Sequence, residues 1–228
     1  MHILAHRGYH AALPENTMDA FEAALTLGFE GIETDVRLSR DAELVLFHNR
    51  VAPNGVAVAD LTHAELQQAV GYAVPRLDEA LDAFSCAFWN IELKVPAAQA
   101  ATIATLKRYQ HSRRLLLTSF RHDVVLACAH ELSIDCGFLS AHRPAALNSL
   151  AHAALHEPRL RTFVWDYEIL DSGLLEMANT IGFRNYVYGA HTQAEHELCA
   201  SLGVHGVITD HPEFVKLPQR GLHSQTRH

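Results

Sequence analysis

Two acidic residues alternate along a short strand-like segment, GIETDV, at residues 31–36. Glu33 and Asp35 are two residues apart, and residues two apart in a β-strand project from the same face. Two buried carboxylates so close together repel each other and lose hydration, so the pair requires a shared proton or a bound cation. His48 follows after a turn-like SRDA segment. The segment therefore predicts chemistry as well as a hairpin.

A second strand-like segment, NIELKV, carries a carboxylate and an amine on one face, Glu92 and Lys94. If it ends beside the first segment, three carboxylates from two strands converge. Such a set of hard oxygen ligands suits Mg²⁺ or Ca²⁺. Lys94 would then place a compact positive charge where it can hold a phosphate oxygen.

The segment ILAHRG, near the start of the chain, adds a histidine at a strand end and an arginine directly after it. The fork of Arg7 fits a phosphate. Together with His48, His6 completes a pair of imidazoles, of which one can take a proton from a nucleophile and the other can give one to a leaving alkoxide. Each group alone is compatible with a structural role. Their order along the chain and their positions at strand ends favour phosphodiester cleavage.

Short apolar strands alternate with helical stretches along the whole chain. The predicted strands are 2–6, 31–36, 44–48, 88–93, 114–119, 135–139, 161–166, 184–188 and 205–209. The predicted helices are 16–27, 62–70, 77–84, 97–109, 121–131, 143–154, 171–181 and 192–202. This alternation predicts an α/β fold built from parallel strands, and the length fits a TIM (β/α)8 barrel.

One connection is too short for a crossover helix, namely the one between Val36 and Leu44. We therefore predict that 44–48 is an extra antiparallel hairpin strand after the second barrel strand. A four-residue turn over 40–43 would place Ser39 opposite Leu44 and Asp35 opposite His48. A slip of one residue would turn His48 to the other face.

Composition and charge exclude several classes of protein. The formal net charge of -8 argues against a nucleic-acid partner. No apolar run is long enough for a membrane span. The four cysteines are scattered without a C-x-x-C pair, and the N-terminus is too short and too polar for a signal peptide, so we expect reduced thiols and a cytoplasmic location.

Several motifs together resemble the glycerophosphodiester phosphodiesterase family of PLC-like TIM barrels. The stretch AHRGYHAALPENTMDAFEAALTLGFEGIETDVRLSRDAELVLFHN resembles its opening pattern. DLTHAEL, VPRLDEAL, NIELK, TSF and GVITDHP are similar to later family segments. The resemblance runs over residues 5–213, is most specific in the first 95 residues, and implies one such barrel domain over 1–217 with a polar tail at 218–228.

The resemblance implies hydrolysis of glycerophosphodiesters to glycerol 3-phosphate and an alcohol, with the substrate's own glycerol hydroxyl as nucleophile. The roles that it implies are catalytic for His6 and His48, metal-binding (Mg²⁺ or Ca²⁺) for Glu33, Asp35 and Glu92, phosphate-binding for Arg7 and Lys94, and supporting for Glu15 and Asn16. Glu15 would hold the Arg7 region, and Asn16 or Thr17 would cap the first helix.

The chain departs from the family pattern at several positions. Asn49 replaces an Asp, RVAPNGVAV replaces the run that follows it, and VYGAH places Tyr188 and His191 where the family has Trp and Asn. The short insertion after the hairpin predicts a small lid. Phe120, Trp165 and Tyr188 are candidate pocket residues, with core packing as the alternative for the first two.

Other functions stay open at this point. A lysophospholipase D-like enzyme would require an apolar entrance for a lipid. A barrel that binds a phosphodiester without turning it over is a second alternative, although every expected acid, base and metal position is filled. A metal-dependent aldolase or isomerase gives the two histidines no role. We expect a monomer or a homodimer.

Overall fold

The computed structural model describes residues 1–145, 147, 150, 152 and 156–217. The strands within them are β1 (His2–His6), β2 (Gly31–Leu38), β3 (Leu44–Leu46), β4 (Phe88–Leu93), β5 (Arg114–Ser119), β6 (Asp135–Ser140), β7 (Leu160–Asp166), β8 (Arg184–Tyr188) and β9 (Gly206–Thr209). The tail 218–228 and half of the predicted helix over 143–154, namely residues 146, 148, 149, 151, 153 and 154, lie outside the described residues.

The helices of the described chain follow the predicted ones closely. The α-helices are α1 (Met18–Leu27), α2 (His63–Val70), α3 (Leu77–Ala83), α4 (Gln99–Tyr109), α5 (His122–Glu131), α6 (Ser172–Thr180) and α7 (Gln193–Ser201). Short 3-10 helices span Val58–Asp60, Pro96–Ala98, Tyr167–Ile169 and Pro212–Phe214. No helix among the described residues is long and apolar enough to cross a bilayer.

The sheet closes on itself. Eight parallel strands follow one another in the order β1, β2, β4, β5, β6, β7, β8 and β9 within the described chain. β1 pairs with β2 on one side, Leu4 opposite Gly31, and with β9 on the other, Leu4 opposite Ile208. β3 lies outside the ring, antiparallel to β2. This confirms a TIM barrel with one extra antiparallel strand.

The barrel interior has an apolar floor. Its inward-facing side chains are Leu4, Phe88, Leu116, Leu139, Val164, Tyr186 and Ile208. Gly31 and Gly206 leave room for this layer, because a Cβ at Gly31 would lie 2.1 Å from the Phe88 carbonyl oxygen and one at Gly206 would lie 2.3 Å from the Tyr186 ring. Since side chains alternate along a strand, the next inward residues lie at the carboxyl ends of the strands, where TIM barrels carry their active sites.

The hairpin between β2 and β3 has a register one residue away from the predicted one. Leu38 lies opposite Leu44 and Val36 opposite Leu46, so the predicted pairs of Ser39 with Leu44 and Asp35 with His48 are wrong. The loop has an extra residue because Ala42 adopts a φ of 62°. The Ser39 hydroxyl closes this wider loop by donating to Asp41 at 2.6 Å.

Candidate active site

Three buried carboxylates lie at the carboxyl ends of β2 and β4. Glu33, Asp35 and Glu92 are 4%, 0% and 8% exposed, and one oxygen from each lies within 4.8 Å of the others. The parallel register places Asp35 opposite Glu92. Burial, and then repulsion by the other carboxylates, raises the pKa of Glu33 well above its usual value. The pKa of Glu92 is also raised, chiefly by burial.

Two cations neutralise part of this negative charge. Lys94 Nζ lies 2.8 Å from Glu92 Oε1 and 3.2 Å from Asp35 Oδ1. Arg7 Nε lies 3.3 Å from Asp35 Oδ2. Burial alone would raise the pKa of Asp35, but Lys94 and Arg7 outweigh it and lower that pKa. Asp35 is therefore the carboxyl group whose charged form these two cations favour.

The PENT segment holds these groups in place. Glu15 accepts a hydrogen bond from Arg7 at 2.9 Å, as the sequence predicts. Thr17 caps α1, accepting from the Ala20 backbone NH at 3.3 Å. Asn16 instead turns inward, donates to Asp35 Oδ2 at 2.9 Å and accepts from the Thr34 hydroxyl at 2.6 Å. Asn16 thus orients a carboxylate.

His6 is oriented by an aspartate that the sequence analysis did not assign to the site. Its Nδ1 lies 2.9 Å from Asp210 Oδ1, and its Nε2 lies 4.0 Å from Glu33 Oε2. Hydrogen bonds from His10 and His6 outweigh burial and hold the pKa of Asp210 far below its usual value. Asp210 directly follows β9, the neighbour of β1 in the closed barrel, so barrel closure was the signal that could have identified it.

His48 reaches the same site from outside the barrel. β3 ends at Leu46, so strand alternation no longer fixes the direction of this side chain. Arg37 on β2 donates to the His48 carbonyl from two nitrogens, at 2.9 and 2.6 Å. The imidazole Nδ1 lies 3.1 Å from the Asn49 side-chain oxygen. This amide oxygen can accept a hydrogen bond as the family's aspartate would, but it carries no negative charge. Burial lowers the pKa of His48.

A cavity of about 170 Å³ joins these groups. The residues that line it are His6, Arg7, Glu33, His48, Asn90, Glu92, Lys94, Phe120, Leu139, Tyr188 and Ile208. Phe120 and Tyr188 meet edge to face, with ring centroids 6.2 Å apart. Asn90, a position that the sequence analysis treated as part of a motif, contributes a buried amide nitrogen without a hydrogen-bond partner in the described structure.

Trp165 does not line this cavity, so its prediction as a pocket residue is wrong. It is fully buried, stacks on Phe163 at 4.4 Å and donates to Asn185 Oδ1 at 2.8 Å. Its neighbour Val164 faces the barrel interior. Strand alternation therefore turns Trp165 outward, to the layer between barrel and helices.

The carboxylate set fits a divalent cation. Three buried oxygen donors converge within 4.8 Å, and repulsion by Asp35 and Glu92 adds to burial in raising the pKa of Glu33. A hard oxygen-preferring ion would relieve this repulsion. Glu33, Asp35 and Glu92 could thus hold a metal ion at the cavity.

A closed parallel barrel that carries buried carboxylates, histidines and cations at the carboxyl ends of its strands is typical of TIM-barrel enzymes. Comparison with known proteins narrows the class, since residues 6–214 match the glycerophosphoryl diester phosphodiesterase family. A glycerophosphodiester phosphodiesterase from Bacillus altitudinis is 30% identical over 92% of this chain and 95% of its own. The chain therefore belongs to this family and is a phosphoric diester hydrolase.

Solved structures agree with this assignment of the fold. A glycerophosphodiester phosphodiesterase from Thermotoga maritima superposes with a TM-score of 0.81 at 25% identity, covering 92% of this chain and 95% of that one. An Oleispira antarctica phosphodiesterase, solved in complex with the product sn-glycerol-3-phosphate, gives a TM-score of 0.79 at 22% identity and covers 93% and 94%. The barrel fold is therefore shared with these solved phosphodiesterase structures.

Proposed function

We propose that this enzyme hydrolyses glycerophosphodiesters to glycerol 3-phosphate and an alcohol, with His6 and His48 as general base and general acid. The observation that carries the proposal is one cavity of about 170 Å³ lined by two imidazoles, two of the three carboxylates and two cations. The Oleispira antarctica phosphodiesterase of the same fold supports the choice of product, because it was solved with sn-glycerol-3-phosphate.

His6 suits the role of general base. Its Nδ1 donates to the Asp210 carboxylate at 2.9 Å, which leaves the lone pair of Nε2 directed to the cavity. Nε2 takes the proton of the attacking hydroxyl, a glycerol hydroxyl of the substrate. Asp210 then stabilises the imidazolium that forms.

His48 suits the role of general acid. It has no carboxylate within hydrogen-bond distance in the described structure, and burial lowers its pKa. A bound phosphodiester brings a negative charge that favours the protonated imidazole. His48 then gives its proton to the departing alkoxide oxygen. This first step forms a cyclic phosphodiester of glycerol as the bond to the alcohol breaks. In the second step His48 takes a proton from the attacking water, the ring P–O bond breaks, and His6 returns its proton to the glycerol oxygen.

The charged groups complete the site. Arg7 and Lys94 offer donors to the phosphate oxygens, and the ring of Tyr188 together with Phe120 closes one side of the cavity. Glu33, Asp35 and Glu92 would hold Mg²⁺ or Ca²⁺. When bound, such an ion supplies charge stabilisation to the oxygens of the transferring phosphoryl group.

The first experiment compares two leaving groups. First-turnover release of the alcohol, choline from glycerophosphocholine or p-nitrophenol from its glycerophosphodiester, is measured with EDTA and with Mg²⁺ or Ca²⁺ restored, because it reports only the step in which the acid acts; glycerol 3-phosphate is measured as the final product. A general acid contributes about 10²–10⁴-fold for a poor leaving group and little for an activated phenol. We therefore expect His48→Ala to be far less impaired on the phenol ester, and His6→Ala to be inactive on both. Equal losses for His48→Ala on both esters would refute the assignment of the acid.

A lipid substrate is a second candidate, favoured by one observation. A groove of about 580 Å³ runs from Phe120 past Leu139 and Pro144 to Leu150, and Phe120 is 43% exposed. The groove is also lined by His122, His142 and Arg143; its apolar part would serve as the entrance that a lysophospholipase D-like enzyme requires. A lysophospholipid in the same substrate panel tests it, since hydrolysis faster than that of the water-soluble diesters would replace the first proposal.

The remaining expectations are predictions from the sequence. The net charge of -8 argues against a nucleic-acid partner, and a small-molecule substrate stays the prediction. A cytoplasmic location and a monomeric or homodimeric state stay predictions, to be tested by cell fractionation and by light scattering.

A further inference from the structure

His10 occupies a position that the proposed reaction does not use. It lies in the loop after β1, and its Nε2 is 2.9 Å from Asp210 Oδ1. His6 Nδ1 lies 2.9 Å from the same oxygen atom. Two imidazoles thus converge on one carboxylate oxygen beside the catalytic cavity. The hydrogen bond to Asp210 raises the pKa of His10.

The three side chains have the composition and spacing of a transition-metal site. Their donor atoms, two nitrogens and one oxygen, all lie within 4.8 Å of one another. In a tetrahedral site each donor atom lies about 2.0–2.1 Å from the ion, so two donor atoms are roughly 3.4 Å apart. Small rotations of the three side chains would bring their donor atoms to this spacing. Imidazole nitrogens favour Zn²⁺ and its neighbours, whereas the all-carboxylate set favours Mg²⁺ or Ca²⁺.

The surroundings permit an ion at this place. The side chains of His6, His10 and Asp210 are 27%, 29% and 34% exposed, so water can take a fourth ligand position. Arg7 is the cation whose charge opposes binding at His10. It is neutralised by Glu15 and Asp35, at 2.9 and 3.3 Å.

We propose that His6, His10 and Asp210 form a second metal site, selective for Zn²⁺ and similar ions, and that its occupation inhibits the enzyme. Coordination requires the lone pairs of His6 Nδ1 and His10 Nε2, the atoms that now donate to Asp210. In each neutral ring the one proton must then sit on the other nitrogen, Nε2 in His6 and Nδ1 in His10, and any second proton is released to water. A protonated Nε2 cannot take a proton from the attacking hydroxyl, so the base is blocked. The inhibition rests on the proposed function, whereas the binding does not.

The enzyme is stripped of metal and then saturated with Mg²⁺ to fill the carboxylate site, and its calorimetric titration with Zn²⁺ tests the second site. Co²⁺ absorption provides a second, activity-independent readout of tetrahedral coordination. The matched variants are His10→Ala and His191→Ala, the latter an exposed histidine that lines an adjoining cavity. We expect one Zn²⁺ per chain for the wild type and for His191→Ala. His10→Ala should bind at least about 10–100-fold more weakly, the loss that removal of an outer-shell partner already causes.

Activity measured against Zn²⁺ tests the second half of the proposal. Zn²⁺ should inhibit wild type and His191→Ala, and His10→Ala should keep its own basal rate at the same concentration. Unchanged Zn²⁺ affinity in His10→Ala would overturn the site, and binding without inhibition would overturn the block of the base. If the enzyme cleaves no glycerophosphodiester, the proposed function fails while the titrations still decide the site. If His10→Ala does not fold, anomalous scattering from Zn²⁺-soaked wild-type crystals decides, with density away from the three residues as the contrary result.

Discussion

Asn16→Ala should lower both stability and metal affinity, because Asn16 is buried beneath the carboxylate site. The change removes a hydrogen bond to the charged Asp35, worth about 1.5–3 kcal/mol, and strands the buried Thr34 hydroxyl at a cost of about 1–3 kcal/mol. The lost contacts alone should lower the free energy of unfolding by roughly 3–5 kcal/mol. At about 2–4 °C per kcal/mol for a domain of this size, the melting temperature falls by roughly 6–20 °C.

The backbone at this position supplies the matched control. Asn16 has a φ of 57°, a conformation that costs alanine roughly 1–2 kcal/mol and glycine almost nothing. Asn16→Gly should therefore be more stable than Asn16→Ala by about 1 kcal/mol, while both lose the side-chain contacts.

The assays are urea unfolding in EDTA and calorimetric titration with Mg²⁺ or Ca²⁺. Loss of the group that orients Asp35 should weaken metal binding by about 10–100-fold in both variants. If both unfold within about 1 kcal/mol of the wild type and bind metal equally well, Arg7 and Lys94 alone hold Asp35 and our reasoning is wrong.

Three further predictions concern other parts of the site. Asp210→Asn should lower kcat by about 10²-fold or more with little change in KM, because an amide no longer fixes the His6 tautomer; an unchanged kcat would exclude this role. Because the pKa of Glu33 is raised in the fold, the folded metal-free protein binds more protons than the unfolded chain between the ordinary pKa of a glutamate and the raised one. Its stability should fall as pH rises through that window, and metal affinity should rise by about tenfold per pH unit; urea unfolding and metal titration across pH would show a flat profile if no proton is held. Trp165→Phe should cost about 1–3 kcal/mol of stability through the stranded Asn185 oxygen and leave KM unchanged, whereas a raised KM would return Trp165 to the pocket.

The barrel and the carboxylate site were predictable because they follow from local alternation. Glu33 and Asp35 share parity on β2, and Glu92 shares it with Lys94 at the end of β4, so parallel pairing alone brings them together. Alternation along β7 also predicts that Trp165 points away from the barrel interior, because its neighbour Val164 points inward.

The missed features depend on geometry that no short pattern encodes. The hairpin register depends on the positive φ of Ala42. Alanine has no preference for positive φ, so nothing in SRDA indicated the wider loop. Asp210 is 204 residues from His6, and the two meet only because β9 returns to β1 when the barrel closes. Likewise, Asn16 faces Asp35 because the helix begins one residue later, at the Thr17 cap.

The bond from Arg37 to the His48 carbonyl has an evolutionary consequence. It holds the main chain of His48 from a barrel strand, and the imidazole contacts Asn49 but no residue beyond it among the hydrogen bonds of the described structure. Residues 50–57, which form a small turn with a bridge between Val51 and Ala57, could then be exchanged or resized without moving the main chain of His48. On this account RVAPNGVAV can stand in place of the family's usual run with the His48 main chain still held by Arg37.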